Sequence, residues 1–383
     1  MLKLIRNGQV YSPDKLGKKD ILIAEEKIVK IGENLSISGL EVSEFDFDGK
    51  IVTPGFIDQH VHITGGGGQA GYSSMVPEVQ MSELIACGTT TVVGMLGTDG
   101  FVKELTTLYA KCKALDMDGI TAYMHTSYYG LPEKTILSSV ANDLIFIDKV
   151  IGCKLAISDD RSSFPSEIEI LRLINQVRLG GFTSNKTGIL HVHVGALESG
   201  IEVLLEIARK YPTLIQHISP THVIRTKALF EQAIRFAKLG GMIDVSTGGT
   251  QYDEPYKCVL EAINQGISVD SMTFSSDGRG GVKRTDPKTG EVTYRPAPLH
   301  RNFSETVRLV KEGGLPLEEA IRLITSSPAK NLKINNKGFI REGFDADFCV
   351  MDQDLNLTEV FSRGTLMMEG QQVIRKGKYE TSM

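Results

Sequence analysis

Gly55-Phe56-Ile57-Asp58-Gln59-His60-Val61-His62 closes an apolar run that begins near Ile51. In an extended strand, residues i and i+2 project from one face, so His60 and His62 present two imidazoles side by side. Paired neutral imidazoles on one rigid element suit Zn²⁺ or a similar divalent ion. Two strand histidines satisfied by ordinary hydrogen bonds would read the same in isolation. The weight therefore falls on whether other ligands stand in matching positions along the chain.

Outward from this stretch, between Ile51 and about Leu332, short β-branched runs alternate with segments of helical period. The predicted strands are Phe56–His62, Thr90–Leu96, Ile120–Thr126, Cys153–Ile157, Ile189–Val194, Leu214–Ile218 running on to His222, Met242–Ser246 and Ser271–Ser275. Pro77–Ala86, Lys103–Ala114, Ile168–Arg178, Ile201–Arg209, Lys227–Leu239, Tyr256–Gln265 and Ser304–Lys311 fit amphipathic helices. Eight alternations over about 280 residues match a (β/α)8 TIM-like barrel better than an open sheet.

Both ends of the chain read differently. Leu2–Ile5, Asp20–Ala24, Lys27–Ile31 and Glu44–Phe47 are strand-like, with Asn7-Gly8 as a turn signal. The pattern returns at Ala346–Met351, Leu357–Ser362, Gly364–Met368 and Gln371–Lys376. The expectation is an α/β protein in two parts. Residues 1–50 and 337–383 build a small antiparallel β-sandwich domain, and residues 51–336 form the barrel.

A barrel places its chemistry at the carboxyl ends of the strands. His60 and His62 end the first predicted strand, Lys154 lies in the fourth, His193 ends the fifth, His222 follows the sixth and Asp277 closes the eighth. Six residues able to serve a metal thus converge on one mouth, a far more specific signal than the His-x-His pair.

The bulk numbers limit the alternatives. The chain has 383 residues, a formal net charge of −5 and no stretch approaching a membrane span. That balance argues against nucleic-acid and anionic-membrane partners, which need a basic face. Cys87, Cys112, Cys153, Cys258 and Cys349 are odd in number and lack CxxC spacing, as expected of reduced thiols in a cytoplasmic protein. The N-terminal residues contain no apolar core of signal-peptide length.

With these residues in place, the chain resembles the amidohydrolase superfamily, and within it the isoaspartyl (β-aspartyl) dipeptidases. The resemblance rests on Gly55–His62 with Gly65-Gly66-Gly67-Gly68, on Val150-Ile151-Gly152-Cys153-Lys154 with Ala156–Asp159, and on Arg161-Ser162. It continues through Pro220-Thr221-His222-Val223-Ile224-Arg225, Phe230–Ala233, Ser275–Gly278 and Thr325-Ser326-Ser327. It implies two Zn²⁺ ions per subunit, or other divalent metals, held by His60, His62, Lys154, His193, His222 and Asp277. Two adjacent dications repel, and the implied anionic bridge is N6-carboxylysine, made when CO₂ adds to the neutral amine of Lys154.

The implied reaction is hydrolysis of a small acidic dipeptide by a hydroxide held between the ions. Asp277 is the implied proton shuttle and Tyr129 the hydrogen-bond donor to the oxyanion, with Tyr128 as the neighbouring alternative. Arg161 and Arg225 match the residues that bind substrate carboxylates, while Gly67 and Thr98 match further polar contacts. The resemblance also implies a homo-oligomer, an octamer in its relatives.

Two positions depart from the pattern. Gln69 stands where a glutamate meets the substrate's α-ammonium, and Gly281 stands where a serine is found; Arg279 offers an added anion contact. A cyclic-amide hydrolase of the dihydroorotase or hydantoinase kind is the competing enzyme. A catalytically silent scaffold barrel is the competing non-enzyme, although such a protein need not keep all six ligands.

Other signals are discounted. Gly65–Gly68 lacks the Gly-Lys-Ser/Thr of a phosphate loop and reads as a mobile loop whose bare backbone approaches the substrate. His191 shares a face with His193 but lies one layer deeper, as a supporting histidine. His125, His217 and His300 read as structural, and Cys153 as packing. Lys283–Arg295 reads as a turn-rich loop over the mouth, in the position of a lid.

Overall fold

In the computed structural model, which describes residues 2–286 and 288–380, the chain opens with five strands. These are β1 (Leu2–Tyr11), β2 (Lys15–Ala24), β3 (Lys27–Gly32), β4 (Val42–Asp46) and β5 (Ile51–Pro54). The Asn7-Gly8 turn signal lies inside β1. Asn7 takes φ 61°, and the β1–β2 register shifts between Ile5 and Gly8, so the pair forms a bulge. Asp20 Oδ1 accepts from the displaced Asn7 N–H at 3.0 Å.

The barrel follows as β6 (Phe56–Val61), β7 (Thr89–Gly94), β8 (Thr121–Ser127), β9 (Val150–Ile157), β10 (Ile189–Val194), β11 (Ile218–Thr221), β12 (Ile243–Ser246) and β13 (Met272–Ser275). They pair in parallel in this order, and almost every residue in them is buried. Burial on both faces is why these segments read as continuous apolar runs without alternation. The ring meets at β6 and β13, where His62 N–H donates to Gly278 O at 2.9 Å. Leu214–His217, expected to lead the sixth strand, instead belongs to a 3-10 turn over Pro212–His217. Pro212 presets φ for the first helical position, which the apolar content of the segment does not reveal.

Helices α1 (Met81–Ala86), α2 (Leu105–Asp118), α3 (Val140–Phe146), α4 (Glu167–Ser184), α5 (Glu202–Lys210), α6 (Lys227–Lys238), α7 (Pro255–Asn264) and α8 (Arg301–Lys311) cover the outside. The logic of α6 serves for the set. Thr226 Oγ1 accepts from Leu229 N–H at 3.1 Å, capping the first turn. Leu229, Phe230, Ala233, Ile234 and Ala237 form the buried stripe, and Arg235 with Lys238 oppose the dipole in the last turn. Phe230 is fully buried, so Phe230→Ala would cost about 3–5 kcal/mol.

Lys283–Arg295 contains an antiparallel ribbon, β14 (Gly281–Thr285) and β15 (Val292–Pro296), where the sequence suggested a loop. The chain ends in β16 (Phe348–Met351), β17 (Leu357–Ser362), β18 (Thr365–Glu369) and β19 (Gln372–Val373). The terminal strands make one nine-stranded sheet of mixed direction: β4 and β5 both run parallel to β1. The expected all-antiparallel pairing is corrected here. The sheet curls around its own core of Ile5, Ile21, Ile23, Val52, Phe348 and Phe361.

Candidate active site

His60 comes from β6, His62 from the residue just beyond it, and Asp277 from the bend after β13, where its φ is 52°. Asp277 Oδ1 lies 3.4 Å from His60 Nε2 and 3.3 Å from His62 Nε2. One ligand atom from each of the three residues falls within 4.8 Å of the others. The remaining expected ligands adjoin this cluster. The ring of His222 lies 5.0 Å from that of His60 and 4.5 Å from that of His193. Lys154 Nζ lies 3.4 Å from His60 Nε2 and 3.3 Å from Met95 Sδ.

Burial controls the charge of this group. His60, His193 and His222 are held well below the ordinary histidine value, chiefly by desolvation, so their rings are neutral and their lone pairs are available. The fully buried amine of Lys154 is likewise lowered to about 7 by desolvation, within reach of its neutral form. His62 Nδ1 is buried and has no hydrogen-bond partner among the described residues. Neutral imidazoles and a carboxylate at these separations form a donor set that fits a divalent cation.

Supporting residues fix the ligands. His191 Nε2 and His60 Nδ1 are 3.0 Å apart, and His125 stacks on His191 at 5.1 Å. Asp58 Oδ1 accepts from the backbone N–H groups of both His60 and Ser276 at 3.2 Å, which links the two strands that carry the cluster. Beneath it, Asp244 accepts four hydrogen bonds. They come from Gln59 Nε2 at 2.8 Å, Thr273 Oγ1 at 2.7 Å, Thr221 Oγ1 at 2.6 Å and Ser275 Oγ at 2.5 Å.

A cavity of about 200 Å³ opens above the cluster. Gly67, Gln69, Thr98, Tyr129, Arg161, Arg225 and Gly281 all line it, together with His62, His193 and Asp277; His60, Lys154 and His222 lie beneath. Tyr129 Oη lies 2.8 Å from His193 Nδ1, and burial raises its phenol so that it stays protonated. Tyr128, the alternative, packs its ring edge-on to Phe101 at 5.2 Å.

Asp159 is the residue that the sequence reading left without a role. Its Oδ2 accepts from His193 Nε2 at 2.9 Å, and both its oxygens bind the Arg161 fork at 2.8 and 2.6 Å. Burial alone would raise this carboxyl, but the hydrogen bonds from His193 and Arg161 hold it well below the usual range. The one available signal was an acid two residues before an arginine, which is common in loops. Lys283, on β14, also reaches the lining.

Two expectations are corrected. Arg279 turns away from the cavity and pairs with Glu83 in the first turn of α1. The four-glycine loop is pinned: Gly66 N–H donates to Arg279 O at 2.9 Å, Gly68 N–H to Ser74 O at 3.2 Å, and Thr98 Oγ1 to Gly67 O at 3.2 Å. All five cysteines are free, with the buried Cys153 in the main core. Among the described residues, no helix is long and apolar enough to cross a membrane.

Comparison with known proteins sharpens the picture. Residues 51–378 match the model of the amidohydrolase family. The β-aspartyl dipeptidase of Fervidobacterium islandicum AW-1, solved in complex with a β-Asp-Leu dipeptide, is 40% identical; the match covers 97% of each chain with a TM-score of 0.90. An adenine deaminase from Methanoregula boonei is 24% identical over 369 residues, which are 96% of this chain but 59% of the deaminase. A dihydroorotase from Pelotomaculum thermopropionicum is 24% identical over 424 aligned positions, covering 93% of this chain and 90% of the other.

Proposed function

The chain belongs to the amidohydrolase family, and from that premise we propose that it is a binuclear-metal dipeptidase cleaving β-aspartyl (isoaspartyl) dipeptides. The observation that carries the reading is the meeting of two arginines, a buried tyrosine and the His60–His62–Asp277 cluster at one cavity. The substrate's two carboxylates and its side-chain amide call for those groups.

His60, His62 and Asp277 would hold one divalent ion; His193 and His222 would hold a second, and carboxylated Lys154 would add an anionic ligand. Bound zinc supplies a polarised scissile carbonyl and a water whose pKa falls to about 7. The chain's own residues do the rest. Arg161 and Arg225 fix the substrate's carboxylates, so the amide carbonyl faces the cluster. Asp277 takes the proton of the attacking water and passes it to the departing nitrogen. The C–N bond breaks, the water's OH stays on the carbonyl carbon, and aspartate and the second amino acid leave. Tyr129 donates its O–H to the oxygen that gains charge on the way.

Lys154 fits the carboxylation step because its amine is buried and near neutrality. CO₂ would form an N–C bond with the neutral amine, one proton would leave the nitrogen, and the neutral amine would become a two-oxygen anion. A cytoplasmic setting and a homo-oligomeric assembly belong to the same proposal. The free cysteines support the first, and sedimentation would test the second.

The test is hydrolysis of β-Asp-Leu beside α-Asp-Leu and dihydroorotate by protein treated with zinc and bicarbonate. Strong preference for β-Asp-Leu is expected. Turnover of the cyclic amide alone would replace this reading with the dihydroorotase type.

A further inference from the structure

A second cavity of about 190 Å³ lies beside the first, and the two share Gly67, Gln69 and Gly281. Its remaining walls include Met75, Val76 and Pro77 on one side and Tyr294 and Pro296 of β15 on the other, making it largely apolar. The partition between the cavities is thin. A Cβ on Gly281 would stand 2.9 Å from the Cα of Gly67, so the partition is bare backbone at its narrowest point.

Arg161, over the Tyr129 ring, and Arg225, beside His193, line the main cavity together with Gln69. On the β-aspartyl reading, Gln69 stands at the place of the substrate's α-nitrogen. Among the described residues, Asp99 and Asp277 are the carboxylates that line the main cavity. Asp277 belongs to the His60–His62 cluster; Asp99 is 2% exposed, its Oδ1 accepts from Gly97 N–H at 2.7 Å, and its Oδ2 makes no hydrogen bond among the described residues and lies 3.7 Å from Lys103 Nζ. The side chain of Gln69 carries one acceptor and two donors, and it makes no hydrogen bond of its own among the described residues. That set complements the N–H and C=O of a secondary amide better than it complements an ammonium.

Resting on the β-aspartyl reading, we propose that the second cavity binds an apolar acyl or aminoacyl group on the substrate's α-nitrogen, so that the enzyme cleaves N-substituted isoaspartyl peptides. In N-hexanoyl-β-Asp-Leu, water adds across the β-amide, the C–N bond to leucine breaks, and N-hexanoyl-aspartate and leucine are released. The hexanoyl amide stays intact, since it lies at the Gln69 end.

The experiment compares kcat/KM for free β-Asp-Leu and N-hexanoyl-β-Asp-Leu in the metal-loaded parent and in Ser73→Trp, which fills the second cavity from its loop side. The parent should cleave the hexanoyl substrate at least as well as the free one. Ser73→Trp should lower that value about tenfold while leaving free β-Asp-Leu nearly unchanged. Calorimetry should show N-hexanoyl-aspartate binding the parent more tightly than aspartate does. Cleavage of the free dipeptide with rejection of the hexanoyl substrate would overturn this inference and leave the dipeptidase standing. An equal loss on both substrates in Ser73→Trp would assign the cavity to the leaving residue and overturn it too. Failure on both substrates in a parent with two metals bound would overturn the β-aspartyl reading itself.

Discussion

Arg161 lays both arms of its guanidinium on Asp159, Nε to Oδ1 at 2.8 Å and Nη2 to Oδ2 at 2.6 Å. The same carboxylate holds His193 at 2.9 Å, so a proposed substrate contact and a proposed metal ligand are oriented by one side chain. Asp159→Asn keeps the shape but removes the charge that matches the fork. Loss of such a supporting partner costs about 10–100-fold in metal affinity or activity. We expect a raised KM together with weaker metal retention, read by kinetics and by metal analysis after dialysis. A rise in KM with full metal retention would limit Asp159 to the arginine.

Asp277→Ala should fold as the parent does, because the residue caps no helix and retains some exposure. Its loss removes the only carboxylate of the metal cluster and the proposed proton carrier, so kcat should fall by at least about 10²–10⁴-fold. Circular dichroism alongside turnover separates the two effects. Unchanged turnover would end the assigned mechanism.

Lys154→Met should lower metal content and also stabilise the metal-free protein at pH 7. The folded chain holds this amine near pKa 7, against an ordinary 10.5, because of burial. Between those values the unfolded chain binds a proton that the folded one does not, so the penalty is full below pH 7 and fades as pH rises toward 10.5. The melting-temperature gain of the variant should shrink over the same window. Bicarbonate should improve zinc uptake in the parent and have no effect on the variant.

The buried histidines set an opposite boundary. His60, His193 and His222 are all held well below 6.5, with desolvation the leading cause. As pH falls through 6.5 the unfolded chain gains protons that the folded metal-free chain refuses. Stability should therefore drop by up to about 1.4 kcal/mol per pH unit for each imidazole, and this contribution should be flat above 6.5. Thermal scans of metal-free protein from pH 8 to 5 would check the slope.

Asp244→Ala tests the polar layer below the site. Four donors lose their acceptor at once in a fully buried position, and each stranded donor costs about 1–3 kcal/mol. The variant should unfold at much lower denaturant concentration, if it folds at all. Asp244→Asn, which keeps the oxygen and the shape, should recover part of the loss.

The eight barrel strands were legible because a parallel strand buried on both faces must be apolar throughout, and each such run lies between amphipathic helices. The His60–His62–Asp277 cluster was legible for the same reason, since polar side chains at the ends of apolar runs stand out. α3 was missed because seven residues give too few turns for a period to show. The parallel pairing of β4 and β5 with β1 was missed because strand direction depends on partners distant in the chain. Asp159 and the ion pair of Arg279 with Glu83 escaped for a related reason: an acidic or basic residue in a loop says nothing of where the loop will fold.

The seam between β6 and β13 joins the first and last strands of the ring, and His60, His62 and Asp277 sit across it. No partly synthesised barrel can own this cluster, because its histidines emerge early and its aspartate more than two hundred residues later. Metal capture is thereby tied to completion of the ring, and a bound ion acts as a clasp drawn shut only by a finished fold. Uptake of the ion during refolding would then time ring closure, a built-in stopwatch for the joining of the first and last strands of the barrel.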